Sequence, residues 1–347
     1  MPKIDGYHIL LIGKKKQLCN MKTKFAIGCL VQWYEIEIIE EYIDSLKDAI
    51  EYCKDKDIIL DFTFVTNQDL EKIEGNDMIN IVARWRNIMK SLKSDGFNIN
   101  DRFEYRLHTI ADYRRQFNDT YCEKVDVLVW GESDMLAPKQ MFQVLDMLHQ
   151  QVKITTPKYL SFFGTCKMWD DTWNALEHPD FTNKPFKDLD FDSWWSHHYT
   201  MCKKEMDEIN SKTEEPSVGI LHKHKFNGCG LVISADVVKA GANIPRSVFF
   251  THEDTAFMLV TNKLLGNIPE YVINNILLVH NRHHPKKRMY VKGESGENHE
   301  RRLSNNWYKI ASKLSEHNTY NLFNNQKFHT WDDVWAKTKE YHATLDE

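Results

Sequence analysis

The chain has 347 residues, of which 42% are hydrophobic and 27% are charged, and its formal net charge is −5. This length allows one large domain or two, and the composition is that of a globular protein that buries a core without staples. The acidic balance excludes a protein that is basic throughout and binds nucleic acid through its overall charge. No apolar run approaches the ~18–20 residues that a membrane span needs, so we expect no transmembrane segment.

The seven cysteines are scattered along the chain and include no CxxC pair. This pattern favours reduced thiols over a disulfide framework or a zinc-binding module. The apolar patch near the N-terminus covers only residues 8–12, which predicts no secretory signal. We therefore expect a cytoplasmic protein.

Strand and helix patterns alternate through the first 130 residues. Apolar runs and one alternating pattern predict strands at 24–31, 58–66, 103–110 and 125–130. Helical spacing of apolar residues predicts helices at 35–52, from 69 to about 92, and at 112–121. This alternation predicts an α/β fold in which a mostly parallel sheet carries helices on both faces.

Three of the predicted strands are followed by polar loops, and ligands of such sheets bind beyond the carboxyl ends of the strands. These loops are Gln32-Trp33-Tyr34, Thr66-Asn67-Gln68 and Gly131-Glu132-Ser133-Asp134. In the third loop, two acidic side chains spaced i and i+2 can face one divalent cation and the phosphates that it bridges. Oxygen ligands of this kind suit magnesium or manganese.

The segment from residue 226 to 258 predicts a glycine-rich turn, a short strand, a helix, an irregular loop and a second helix. The second helix opens with Glu253 and Asp254. Negative charge at a helix start is favoured by the helix dipole, and there it can be held rigidly as a base. Glycines such as Gly228 permit close approach of the backbone to a ligand, and a bulge is the structural alternative.

Two other regions stand apart by composition. Residues 160–216 hold four tryptophans and few periodic segments, which indicates an aromatic-rich insertion over the site; closing a small core is the alternative. Residues 280–292 are strongly basic and form either a solvated loop or a cradle for phosphates, where Lys287 would neutralise charge.

Four segments in chain order resemble family 2 glycosyltransferases. They are the opening KFAIGCLVQWYEIEIIEEYIDSLKDAI, the segment DYRRQFNDTYCEKVDVLVWGESDML, the Gly-rich strand that leads to Glu253 and Asp254, and the strand that ends near His280. The resemblance runs from about residue 24 to about residue 285 and leaves 160–216 unmatched. It implies a GT-A fold, a nucleotide-sugar donor, and inversion at the anomeric carbon. The chain would then comprise a GT-A domain at 1–300, with 160–216 as an insertion near the acceptor, and a helical extension at 301–347.

The resemblance also implies roles for individual residues. Asp254 stands at the position of the general base, and Glu253 would orient the acceptor. Asp134 stands at the position of the direct ligand of manganese or magnesium. Glu132 replaces the usual first Asp and would contact the ribose, a metal-bound water or the metal. A histidine would complete the metal site, since neutral imidazole suits manganese. His280, His283 and His284 compete for this role, with His283 slightly preferred over His280. The nucleotide sugar would be held by Gln32, Trp33, Tyr34, Asn67, Arg115, Glu132, Ser133, Gly228 and Lys287.

A UDP-sugar is the first expectation for the donor, although Thr66-Asn67-Gln68 replaces the acidic contact that the family often makes to uracil. The acceptor would be a glycan or, second, hydroxylated bases in phage-type DNA, because the basic segment 280–292 can bind phosphates. Two other classes stay open from the residues alone. One is a metal-dependent nucleotidyltransferase, which also uses an acid-x-acid motif after a strand. The other is a non-catalytic carbohydrate- or nucleic-acid-binding module with tryptophans as stacking platforms.

Overall fold

The computed structural model describes residues 9–10, 21–67, 76–165, 201–221, 228–281 and 307–344. Within these ranges, no helix has both the length and the apolar character that crossing a membrane requires.

The described residues form ten strands, nine α-helices and a short 3-10 helix at Trp33–Glu37. The strands are β1 (Ile9–Leu10), β2 (Phe25–Gln32), β3 (Ile59–Val65), β4 (Asn98–Glu104), β5 (Val127–Trp130), β6 (Met135–Leu136), β7 (Leu160–Thr165), β8 (Ser217–Leu221), β9 (Val232–Ser234) and β10 (Glu270–His280). The α-helices are α1 (Ile39–Cys53), α2 (Asn76–Ser94), α3 (Ile110–Tyr121), α4 (Met141–Val152), α5 (Lys203–Asn210), α6 (Ala235–Lys239), α7 (Glu253–Leu265), α8 (Trp307–Tyr320) and α9 (Trp331–Ala343).

The strands form one mixed sheet in the order β1-β8-β10-β7-β9-β5-β2-β3-β4, and β6 pairs with β10 off this path. β2, β3, β4 and β5 run parallel to one another, and β10 runs parallel to β7. β9 lies antiparallel between β5 and β7, so these two strands share one direction. The predicted α/β fold is confirmed, but the sheet is mixed, because β6, β8 and β9 run opposite to the other strands.

The central strand β2 is buried on both faces, which explains its continuous apolar sequence. Its odd-numbered residues Phe25 and Ile27 join the core under α1, α2 and α4, whereas Ala26 and Leu30 join a second core under α3, α6 and α7. This alternation follows from the two-residue period of a strand. Helices therefore cover both faces of the sheet, as the sequence predicts.

The strand predicted at 103–110 is wrong in its bounds, because β4 ends at Glu104 and α3 begins at Ile110. β4 is the last strand of the sheet, and it carries polar side chains that apolar patterns do not reveal. Asn100 Nδ2 and Arg102 Nη2 donate to the Asp61 carboxylate, at 2.5 Å to Oδ2 and 3.0 Å to Oδ1. The polar strand is stabilised by this buried acid.

The C-terminal helices α8 and α9 pack on the loop that leads into α7. Phe250 contacts Trp307 and Trp331 edge-on, and Ser315 Oγ donates to the carbonyl of Thr251 at 2.7 Å. The predicted helical C-terminal region is thus observed. The boundary predicted at residue 300 and most of the predicted insertion lie outside the described residues.

Candidate active site

The ends of three strands place polar side chains at one edge of the sheet. Gln32 is the last residue of β2, Glu132 follows β5 after a single glycine, and His280 is the last residue of β10. Because β2, β5 and β10 run in one direction, all three residues lie at the carboxyl edge. This is the edge at which α/β sheets bind ligands.

Pairing of β6 with β10 brings His280 to the acidic loop. His280 is in register with Met135, and the backbone N–H of Asn281 donates to the Asp134 carbonyl at 2.7 Å. As a result, His280 Nε2 lies 2.9 Å from Glu132 Oε2 and 3.6 Å from Asp134 Oδ1. Of the three candidate histidines, the structure places His280 at the acids, and His283 and His284 lie outside the described residues.

A buried arginine joins the acidic loop to the start of α7. Arg114, only 2% exposed, donates from Nη1 to Glu253 Oε1 at 2.5 Å and from Nη2 to Glu132 Oε1 at 2.6 Å. Its Nη2 also reaches the Gly228 carbonyl at 3.2 Å, and its guanidinium lies 4.7 Å from the centre of the Trp130 ring. One side chain therefore fixes three segments that are far apart in the sequence.

Arg115 is the arginine predicted to bind the nucleotide sugar, whereas the structure places Arg114 at the carboxylates of Glu132 and Glu253. Arg115, one residue on, donates instead to the carbonyls of Ile244, Pro245 and Val248 at 2.8–3.1 Å. These bonds hold the loop before α7. Arg114 could have been singled out, because it lies three residues before the buried Phe117 on the apolar side of α3.

Gly228 is required by the close approach of Arg114. A Cβ atom at this position would lie 3.3 Å from both Arg114 Cζ and Asp254 Oδ2, and still closer to Arg114 Nη1. In the structure, the group that closely approaches the glycine-rich turn is the Arg114 guanidinium, with the Asp254 carboxylate beside it.

The two acids that open α7 have different surroundings. Glu253 is buried and held by Arg114, whereas Asp254 is half-buried and its Oδ1 accepts from the backbone N–H of Thr255 at 2.7 Å. Burial raises the pKa of Glu253 to about 7, with Arg114 opposing the shift and Asp254 adding to it. The preceding His252 has a left-handed backbone (φ 64°), which turns the chain sharply into the helix.

The site carries more negative than positive charge among its described contacts. Three carboxylates, those of Glu132, Glu253 and Asp254, gather around the guanidinium of Arg114, and a fourth, Asp134, lies beside His280. Burial lowers the pKa of Arg114, but Glu253 and Glu132 more than offset this, so the net shift is upward. Such a surplus of carboxylates favours a bound cation.

A metal ion has suitable donors here. Ligand atoms of Glu132, Cys229 and His280 all lie within 4.8 Å of one another, and Asp134 Oδ1 lies 3.6 Å from His280 Nε2. Carboxylate, thiol and imidazole together fit a divalent transition metal. Cys229 was not among the predicted ligands, because an isolated cysteine in an apolar segment has no local signal of metal binding.

The loops predicted to hold the nucleotide base meet each other. Asn67 Nδ2 donates to Gln32 Oε1 at 3.0 Å, and Asn67 Oδ1 accepts from the backbone N–H of His108 at 3.0 Å. Trp33 and Tyr34 lie edge to face, with ring centres 5.7 Å apart. Ser133 is buried, and Lys287 lies outside the described residues.

No family model and no curated protein matches this sequence. Among solved structures, the chain is similar to S. aureus TarS 1-349, with a TM-score of 0.43 and 10% identity over 87% of this chain and 72% of that one. It is also similar to GalNAc-T7 with UDP, GalNAc and Mn2+, with a TM-score of 0.42 and 8% identity over 92% of this chain and 54% of that one. Likenesses this weak assign neither fold nor chemistry to this chain, and its own geometry has to supply both.

Proposed function

We propose that the protein is a metal-dependent inverting glycosyltransferase, which moves a sugar from a nucleotide-sugar donor to an acceptor hydroxyl. The observation that supports this function is the convergence of three distant segments on Arg114. These segments are the acidic loop after β5, the glycine turn before β9 and the start of α7. Their sequences are those that resemble family 2 glycosyltransferases.

Asp254 is the general base in this proposal. Glu253 is committed to Arg114, whereas Asp254 is the more exposed acid and sits on the rigid first turn of a helix. The proton of the acceptor hydroxyl passes to Asp254 as the acceptor oxygen attacks the anomeric carbon. The bond from that carbon to the donor phosphate breaks, its electron pair leaves with the diphosphate, and the configuration is inverted.

The opposite end of the site would hold the diphosphate. Asp134, Glu132 and His280 are the residues that would hold a divalent cation, which supplies charge stabilisation to the departing phosphate. Arg114 fixes the Glu132 side chain and so positions this ligand. Charged groups that the folded protein already holds in position before the reaction commonly make the largest single contribution to transition-state stabilisation.

The donor base would lie over the loops after β2 and β3. The Gln32–Asn67 contact and the aromatic pair Trp33–Tyr34 provide amide groups and ring faces at one place. Rings of this type can stack on a base at a gain of about 1–3 kcal/mol. A UDP-sugar is the first candidate donor and a glycan is the first candidate acceptor. The basic segment that suggested a DNA acceptor lies mostly outside the described residues.

The first experiment incubates the full chain with Mn2+ and a panel of nucleotide sugars, with hexose and pentose donors on several bases, and measures released nucleoside diphosphate. Nucleoside triphosphates are tested in parallel, with pyrophosphate as the readout. The proposal predicts diphosphate release from at least one nucleotide sugar, and loss of that release when the cation is chelated.

Three results would overturn the proposal. Pyrophosphate release from a triphosphate would favour a nucleotidyltransferase. Tight binding of a nucleotide sugar with no turnover would favour a binding module. Diphosphate release that persists after chelation would leave a transferase but remove the cation from its mechanism.

A further inference from the structure

Cys229 lies at the candidate metal site because of the way two strands pair. The N–H of Gly230 donates to the Trp130 carbonyl at 2.8 Å, and the N–H of Trp130 donates to the Leu231 carbonyl at 2.9 Å. These bonds lay the turn before β9 along the end of β5, next to Glu132. Gly230 adopts φ +69°, and a Cβ there would lie 2.6 Å from Leu278 Cδ1. The position of Cys229 is therefore fixed by the backbone.

The distances within this group fit ligands of one ion. A carboxylate oxygen of Glu132, the thiol sulfur of Cys229 and a ring nitrogen of His280 lie within 4.8 Å of one another. His280 Nε2 is 2.9 Å from Glu132 Oε2, yet neither ring nitrogen of His280 has hydrogen-bonding geometry to any described residue. A nitrogen and an oxygen that are close but misaligned are poorly placed as donor and acceptor and well placed as two ligands of a metal.

A buried tyrosine gives a second, independent sign of a ligand. Tyr42 is 1% exposed, and its hydroxyl makes no hydrogen bond within the described part of the chain. Gly131 leaves room for this hydroxyl, since a Cβ at Gly131 would collide with it. Because Gly131 directly precedes Glu132, the Tyr42 hydroxyl lies beside the loop that carries this ligand. A metal-bound thiolate or carboxylate would satisfy this donor.

We propose that Cys229, as a thiolate, binds the divalent cation together with Glu132 and His280. These three ligands leave coordination positions open, as in catalytic metal sites, and Asp134, whose Oδ1 lies 3.6 Å from His280 Nε2, can fill one of them. A sulfur ligand makes the site softer than an acid-x-acid motif alone, so Zn2+ and Co2+ should bind more tightly than Mg2+. The inference rests on the proposed function and deepens it by naming the ligand set of its cation.

The test uses Co2+ as a spectroscopic probe of the full, metal-free chain. Wild-type protein should show the near-ultraviolet charge-transfer absorption of a Co2+–thiolate bond. Cys229→Ser should lose this absorption and bind Co2+ at least about tenfold more weakly. Cys122→Ser, which removes another buried thiol far along the chain, is the matched control and should retain both properties.

A second measurement does not depend on a variant that folds. X-ray absorption of the Zn2+-loaded wild type should show one sulfur neighbour at about 2.3 Å from the metal. A site with only oxygen and nitrogen neighbours, or a thiolate absorption that survives Cys229→Ser, would overturn the proposal. So would a wild-type chain that binds neither Co2+ nor Zn2+.

The outcomes separate this inference from the proposed transfer reaction. A Co2+–thiolate absorption in a protein that releases no diphosphate from any donor would keep the ligand set and contradict the proposed function. Cation-dependent diphosphate release without a metal–sulfur bond would do the reverse.

Discussion

Helix α3 contributes side chains to two buried charged clusters, which differ in how completely their charges are matched by partners. The Asp61 cluster consists of Asp61, Asn100, Arg102, Tyr113 and Tyr121. In it, Asp61 Oδ1 accepts from Tyr113 and Arg102, and Oδ2 accepts from Tyr121 and Asn100, all at 2.5–3.0 Å. Each oxygen of this buried acid has two donors, so the cluster is closed.

The Arg114 cluster consists of Arg114, Glu132, Gly228 and Glu253, and it is not closed in this way. Its guanidinium faces two carboxylates directly, Asp254 lies nearby, and Asp134 adds a further acid beside His280. The comparison indicates that a buried charge with matched partners serves the scaffold. A surplus of one sign at the carboxyl edge of a sheet marks a place for a ligand.

Removing the positive charge of Arg114 should have the largest effect on the free energy of unfolding. Arg114→Met leaves Glu132 and Glu253 close together without their shared guanidinium, so the free energy of unfolding should fall by about 3–5 kcal/mol. Urea denaturation measures this. Arg114→Lys keeps the charge but cannot bridge both acids, and it should lose less. A loss below about 1 kcal/mol in Arg114→Met would contradict the central place of this residue.

Neutralising the closed cluster should affect stability alone. Asp61→Asn replaces an acceptor oxygen by a donor amide, so we expect a loss of about 2–3 kcal/mol in the free energy of unfolding. Co2+ affinity should stay the same. Asp101→Asn, which changes a more exposed acid on the neighbouring strand β4, is the control and should cost about 0–1 kcal/mol. If Asp61→Asn weakens Co2+ binding as much as His280→Ala does, the two clusters are not distinct.

A single methyl group tests the tight packing around Arg114. In Gly228→Ala, the new Cβ meets Arg114 and the Asp254 carboxylate, so we expect a loss of about 1–3 kcal/mol together with reduced turnover. Gly219→Ala is the matched control. Its Cβ would lie 3.3 Å from the movable Asn274 amide, and its cost should be smaller. Equal stability and activity for both variants would show that the approach of Gly228 to Arg114 does not matter.

An effect similar in size to that of Gly228→Ala is expected in the pH dependence of stability. Folding raises the pKa of Glu253 from its ordinary value of 4.5 to about 7. Its contribution to stability is therefore fully present below about pH 4.5 and is lost as the pH rises through 7. Glu253→Gln cannot ionise, so the metal-free variant should gain about 1–3 kcal/mol relative to wild type between these limits. Parallel stability profiles for the two proteins would contradict the raised pKa.

The sequence predicts the scaffold of the Arg114 cluster better than its contacts. β2 and β5 are predicted because both of their faces are buried, which leaves an apolar run, and β3 is predicted from the apolar residues around its buried Asp61 and Thr63. β4 is displaced in the prediction because its polar side chains are paired with Asp61, and that pairing depends on a neighbouring strand. Local sequence patterns indicate which residues are buried, but they do not indicate which partner will form hydrogen bonds with the polar side chains of a strand.

Two site residues depend on strand pairing that a sequence pattern does not contain. His280 meets the acids because β6 turns back along β10, and Cys229 meets them because β9 lies antiparallel to β5. Both are contacts between distant segments. The acid pairs at Glu132 and at the start of α7 can be recognised because each lies directly at the end or start of a predicted element.

The most direct test of the account is the Asp254→Asn variant, assayed for both donor binding and diphosphate release on a donor that the wild type uses. Asp332→Asn, which also changes an acid in the first turn of a helix, is the control. We predict that Asp254→Asn binds the donor as wild type does and loses turnover by about 10²–10⁴-fold, because only the proton acceptor is removed. Turnover equal to that of wild type would contradict the assignment of Asp254 as the base and, with it, the proposed mechanism.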